Sequence, residues 1–331
     1  MDKEPTQKSN RLKEGIAIVL MAVVLVVVYG FLQSDFAQDS WKAWWYKEPA
    51  SVSTLRQDLE LTGTGERIFL ATQPAIEEAE AFNEHCGEHR DDVSLLGCYN
   101  DGKIYVYDVK LDSLRDSNKV TAAHELLHAV WSRLSRREKE QLGGWLEDFK
   151  REKIEWVEGE VSLYGEQERL EELYVRIGTK LRDIPDELEK HYQEYFLNRL
   201  KIVDYYENYQ APFRELREKN ETIRVKVATL GAEIEQERAD YEKRSAVLTQ
   251  RIEEFNLCAG TAGCFATDGE FTRQRAELET ERLALAELRT KLNKKIDENN
   301  QLVMEYEENR KNLGELNDAM NSNIDKIEDD I

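Results

Sequence analysis

From Phe213 onward, apolar residues return at spacings of three, four or seven positions. Leu216, Ile223, Val227, Leu230, Ile234, Tyr241, Leu248, Ile252 and Phe255 form one run; Leu278, Leu285, Leu288, Leu292, Ile296, Val303, Tyr306, Leu313, Leu316, Met320, Ile324 and Ile327 form a second. A stripe of this spacing is buried only against another helix. Between the runs, "NLCAGTAGCFATDGE" is small and glycine-bearing, so the chain is expected to reverse there into a long antiparallel coiled-coil hairpin over 209–331, with its tip near 256–270. An arm of roughly 40 residues extends about 60 Å. Asn220, Glu237 and Arg244 interrupt the stripe, as polar residues that fix register do. An intermolecular coiled coil is the alternative, and either form offers a surface to a protein partner.

The other end of the chain is apolar in a different way. "IAIVLMAVVLVVVYGFL", Ile16 to Leu32, carries no charge over 17 residues. That is just enough to cross a hydrocarbon core at about 1.5 Å per residue, and longer than the roughly 7 to 15 residues of a cleavable signal. The reading is a single transmembrane helix at 16–32. Lys3, Lys8, Arg11 and Lys13 precede it and Asp35 and Asp39 follow, which puts residues 1–15 in the cytoplasm and everything beyond Leu32 outside it. "WKAWWY", Trp41 to Tyr46, then fits an aromatic belt in a juxtamembrane linker spanning 33–64. A cleaved signal and a buried core helix are the alternatives.

Charge narrows the partners. The 67 acidic residues outnumber 46 basic ones, giving a formal charge of -21, so the field repels phosphate backbones and nucleic acid is excluded as a partner. The four cysteines fall into two local pairs, Cys86 with Cys98 and Cys258 with Cys264, with no CxxC unit. In an oxidising compartment two short-range disulfides are the economical reading, against four unpaired thiols.

The middle, 65–208, is mixed, so the fold class expected is α+β. "RIFLAT" (67–72) reads as a strand and "AIEEAEAFNEHC" (75–86) as a helix started by Pro74. "SLLGCY" and "KIYVYDV" flank "NDG", a hairpin signal. Beyond Ser117 the pattern is helical: Ser135 and Glu138 make a capping box, and Pro185 opens "PDELEKHYQEYFLNRL".

Within that region, "TAAHELLHAVW" (121–131) holds His124 and His128 with Glu125 between them. On a helix the two imidazoles share one face and can reach one ion, while Glu125 projects beside them, placed to take a proton from a metal-activated water. Two surface histidines one turn apart are the bland alternative. A catalytic zinc ordinarily has three protein ligands, and the metzincin continuation is absent because Trp131 and Leu134 stand at its glycine and histidine positions. The richest supply of carboxylates downstream is "EQERLEELYVRIGTKL", where Glu168 and Glu172 lie opposite a stripe of Leu170, Leu173, Tyr174, Ile177 and Leu181.

The segments "LLGCYNDGKIYVYDV", "TAAHELLHAVWSRLS", "EELYVRIGTKLRDIPDELEKHYQEYF" and "FNLCAGTAGCF" together resemble a group of bacterial membrane-anchored zinc metallopeptidases. More broadly the chain resembles the gluzincin branch of the zincins, over roughly residues 65 to 280. The resemblance implies a small zincin-like sheet-plus-helices domain at 65–208 and a Zn2+ cofactor. His124, His128 and Glu172 would be metal ligands and Glu125 the catalytic base. "EEL" stands where gluzincins usually carry Asn-Glu, which leaves Glu171 as an alternative to Glu172. It also implies that "KIYVYDV" is an edge strand that pairs with the substrate backbone; an ordinary core hairpin is the alternative. His191, with Tyr192 or Tyr195, is a candidate donor to the oxyanion, against a packed interior histidine.

Two function classes follow. One is a membrane-tethered, extracytoplasmic zinc peptidase acting on a peptide or protein substrate. The other is a non-enzymatic cell-envelope scaffold that assembles through its coiled coil. An intact Glu125 favours the first, since a structural ion needs no base.

Overall fold

In the computed structural model residues 16, 20–21, 34–87, 95–162 and 164–322 are described. The chain divides into two compact units, residues 1–212 with 317–331, and residues 213–316. Of the described residues 78% are helical, with one small three-stranded sheet. The α+β expectation is corrected accordingly. Three strands of three to five residues cannot form a layer, and helices supply most of the core.

The apolar run 16–32 lies outside the described residues apart from Ile16, Leu20 and Met21. No helix among the described residues is long and apolar enough to cross a membrane. The single-pass anchor, and the cell-membrane, extracytoplasmic placement built on it, are corrected to that extent: no described helix supports an anchor. Residues 34–64, which fall in the stretch expected as a linker, contribute to the first unit. Helix α1 (Asp35–Trp45) buries Asp39, which takes two hydrogen bonds from Arg133, at 2.7 and 2.9 Å. Trp41, Trp44 and Trp45 are exposed on α1 and pack on one another, while the Tyr46 hydroxyl donates to the Pro74 carbonyl. Helix α2 (Ala50–Asp58) buries Val52 and Leu55.

Helix α3 (Gly63–Ala71) occupies most of the stretch expected as a strand. Thr62 caps it by accepting the Gly65 N–H, and Ile68, Phe69 and Ala71 are buried at helical spacing. Apolar residues there are consecutive, and consecutive apolar residues do not discriminate strand from helix. The helix expected over 75–86 starts late. Ala75–Glu77 form β1, and only Ala79–Cys86 form helix α4, because residues 75–77 find a pairing partner distant in sequence.

That partner is β3 (Lys103–Tyr107), which runs parallel to β1 and antiparallel to β2 (Gly97–Asn100). The β2–β3 turn is Asp101-Gly102, with φ of 50° and 76°, the left-handed pair that a two-residue hairpin requires. Ile104 and Val106 are fully buried in the main core. Phe82, Cys86 and Cys98 cluster separately with Tyr105 and Tyr107, and the Cys86–Cys98 disulfide joins α4 to β2.

Helix α5 (Asp116–Arg133) runs through the core: Ala122, Ala123, Leu126, Leu127, Ala129 and Val130 are at most 1% exposed. Ser135 and Glu138 form the expected capping box of α6 (Arg136–Glu152), followed by α7 (Ile154–Val161) and α8 (Glu166–Lys180). α8 approaches α5 at Gly178, where a Cβ would stand 2.6 Å from Leu127 Cδ1 and 2.8 Å from Tyr192 Cε1. Pro185 precedes α9 (Asp186–Tyr192). The buried Arg199 guanidinium donates to the carbonyls of Gly178, Leu181 and Arg182 and to Glu189, filling acceptors that the end of α8 leaves open.

The second unit consists of parts of two long helices, α10 (Arg199–Ala259) and α11 (Asp268–Ala319). Their antiparallel pairing is fixed by Arg251 with Glu281 and by Lys295 with Glu233 and Glu237. Asn220, Ile234 and Leu248 on one helix, and Leu278, Leu285 and Leu292 on the other, are buried at multiples of seven. Val303, expected in the stripe, is 41% exposed, and its neighbour Leu302 is the partly buried one. Cys258–Cys264 closes the turn beside the packed rings of Phe255, Phe265 and Phe271. Beyond α11 the chain belongs to the first unit again. Ser322 is buried there, its carbonyl accepting from Asn83 Nδ2 at 2.7 Å.

Candidate metal centre

His124 and His128 sit one turn apart on α5, ring centroids 5.0 Å apart. α8 crosses α5 so that Glu172 meets both. Its Oε1 is 3.4 Å from His128 Nε2 and its Oε2 is 3.9 Å from His124 Nε2. One atom from each of the three lies within 4.8 Å of the others. Donors bound to one zinc at about 2.0 to 2.1 Å stand roughly 3.3 Å apart in a tetrahedron, so the spacing fits a cation, and this buried group could hold a metal ion.

Glu171 does something different. Its Oε1 is 2.7 Å from His128 Nδ1. A carboxylate there accepts a hydrogen bond from Nδ1–H and leaves Nε2 as the ring atom facing Glu172, as ligating histidines are commonly held. Glu172 is itself steadied by Arg176, whose Nε donates to Oε2 at 2.9 Å.

The electrostatics follow from burial and these contacts. Burial drives His124 well below the usual imidazole range, with Glu172 opposing. Burial also presses on His128, but the hydrogen bonds that its ring donates to Glu171 and Glu172 outweigh it and lift the group to about 10. Glu172 is held low against burial by His128 and His124. An ionised Glu172 and an unprotonated His124 are the forms that bind a cation, whereas His128 would release its Nε2 proton on binding one.

Glu125 is 6% exposed and lies outside the three-donor group. Burial pushes its carboxyl up to about 7, the positive His128 opposing. The Tyr99 backbone N–H donates to it, and β2 comes this close because residue 97 is glycine. A Cβ there would lie 2.4 Å from Thr121 Cγ2 and 3.1 Å from Glu125 Oε1.

This arrangement corrects the expected edge strand. "KIYVYDV" supplies β3, which is paired on both sides, and β2 is a strand at the sheet's edge. Tyr107 N–H bonds the Leu96 carbonyl, so the antiparallel alternation aims the backbone groups of Gly97 and Tyr99 at the unpaired edge. That edge, with Glu125 on it, is the one beside α5.

His191 is drawn elsewhere. Its Nε2 is 3.1 Å from the Tyr174 hydroxyl, and its ring packs on Tyr174, Tyr192 and Tyr195. Tyr174 follows Glu172 by two residues and so projects from another side of α8. The Tyr192 hydroxyl is spent on the Tyr174 carbonyl at 2.6 Å. Burial lowers His191 to about 4, as for a packed interior imidazole.

Sequence reasoning missed Gly97, Tyr99, Glu160, Tyr164 and Arg176. A signal existed for Arg176 alone, four residues after Glu172 on the same helix face; the others reach the site through tertiary packing. Comparison with protein-family models, curated proteins and solved structures finds no match for this chain.

Proposed function

We propose that this chain is a zinc-dependent peptidase that hydrolyses an extended peptide laid along β2. The observation that carries the reading is the place of Glu125: buried, beside the His124–His128–Glu172 group yet not part of it, and accepting a hydrogen bond from the backbone of an edge strand. A site that only braced the fold would have no use for a carboxylate there. Two imidazoles and one carboxylate, without a thiolate, are a donor set that suits zinc.

Bound by those three side chains, zinc supplies Lewis-acid chemistry, polarising a carbonyl and making water acidic. The protein's own groups do the rest. With the Tyr99 N–H taken by Glu125, the Tyr99 carbonyl is the β2 group that would pair with the substrate backbone, which fixes the scissile carbonyl without reading side chains. Glu125 accepts a proton from the attacking water on a carboxylate oxygen and hands it to the leaving amine nitrogen. Glu171 holds His128 in the required tautomer through this exchange.

The test is elemental analysis of the purified full chain together with a quenched-fluorescence peptide library. Near-stoichiometric zinc and cleavage that disappears in Glu125→Gln are expected. Zinc in both proteins with cleavage in neither would make the ion structural and leave the long helix pair as the functional part.

A further inference from the structure

The contacts of Arg176 go beyond an ordinary salt bridge. Its three guanidinium nitrogens have three separate partners: Nε donates to Glu172 Oε2 at 2.9 Å, Nη1 to Glu160 Oε2 at 2.6 Å, and Nη2 to the Tyr164 hydroxyl at 2.8 Å. The side chain is 18% exposed and Glu160 is 20% exposed, so neither group is free to swing into water. Glu160 also accepts from Lys180 at 2.6 Å. Two carboxylates and two cations thus balance, and Glu172 meets a fixed donor without a surplus positive charge beside the metal group.

Only one oxygen of Glu172 is engaged in this way. Oε2 stands 3.9 Å from His124 Nε2 but already accepts from Arg176, while Oε1 faces His128 Nε2 at 3.4 Å and accepts nothing from Arg176. A carboxylate with both oxygens free can chelate a cation through both, which raises the coordination number and crowds out the position that water must take. A planar fork pinned at three points prevents that, and the point charge of a lysine does not.

We propose that Arg176 is a positioning residue that restricts Glu172 to a single oxygen toward a divalent cation, with Glu160 and Tyr164 as its anchors. The proposal rests on the reading that Glu172 ligates a cation.

Cobalt(II) tests it on the full chain, because its visible absorption is strong in four-coordinate sites and weak at higher coordination. The wild-type protein is expected to give the strong spectrum. Arg176→Lys should lose visible absorption several-fold and bind cobalt about 10-fold more weakly. Tyr164→Phe, which removes one anchor and little volume, should move both readings the same way by less. Circular dichroism of the metal-free proteins shows whether each is folded. If Arg176→Lys does not fold, Tyr164→Phe decides. A variant spectrum identical to wild type overturns the proposal and leaves the metal reading standing. A wild-type protein that binds no cobalt overturns both, and a weak wild-type spectrum with tight binding overturns the proposal alone.

Discussion

His128 and Glu171 are joined at 2.7 Å through the imidazole nitrogen that faces away from the metal group. Adjacent carboxylates on α8 therefore have opposite relations to one ring, Glu171 behind it and Glu172 in front.

Removing each should separate the two roles. Glu172→Ala deletes a donor and should nearly abolish zinc binding, whereas Glu171→Ala should weaken it by about 10- to 100-fold. Competition against a chromophoric chelator measures both. A larger loss in Glu171→Ala than in Glu172→Ala would exchange their roles.

Glu125→Gln preserves volume and leaves the three donors untouched. Zinc content and unfolding midpoint should match wild type while hydrolysis falls by about 10²- to 10⁴-fold or more. Loss of zinc in this variant would place Glu125 among the ligands.

Gly178→Ala tests the contact that sets α8 on α5. The added methyl must displace Leu127 or Tyr192, both buried, so a destabilisation of about 1 to 3 kcal/mol is expected. Denaturant unfolding reads the stability. The same variant should bind zinc less well, since any withdrawal of α8 carries Glu172 from the histidines.

His191 gives a pH signature independent of the metal. Its folded value is lowered to about 4 from 6.5 by burial, so between these values the unfolded chain takes up a proton that the folded chain refuses. Stability contributed by His191 is complete above 6.5, declines as pH falls toward 4, and changes no further below. The unfolding midpoint of wild type should therefore fall more steeply over that window than the midpoint of His191→Gln. Parallel curves would show that His191 is not held neutral.

Legibility followed the range of the interaction. The shared face of His124 and His128, the Ser135–Glu138 cap, the Asp101-Gly102 turn and the seven-residue burial period are local, and each could be read from spacing. Order within the sheet was not. β1 pairs with residues about 30 positions away, and nothing in "AIE" distinguishes that strand from the first turn of a helix. "RIFLAT" fails for the same reason, as its apolar run is compatible with either structure until packing decides. Which glutamate of α8 faces the histidines depends on the helix crossing set at Gly178, a tertiary property. The anchor expected at 16–32 was read from hydropathy alone, and no described helix reproduces it.

The bond between Asn83 and the Ser322 carbonyl spans 239 residues of sequence. A ribosome adding about 5 to 20 residues each second needs roughly 10 to 50 seconds to make that interval. Every side chain of the candidate metal centre has emerged long before then. The site's elements can thus assemble during translation, while α4 waits for a closing segment that is synthesised only after both long helices.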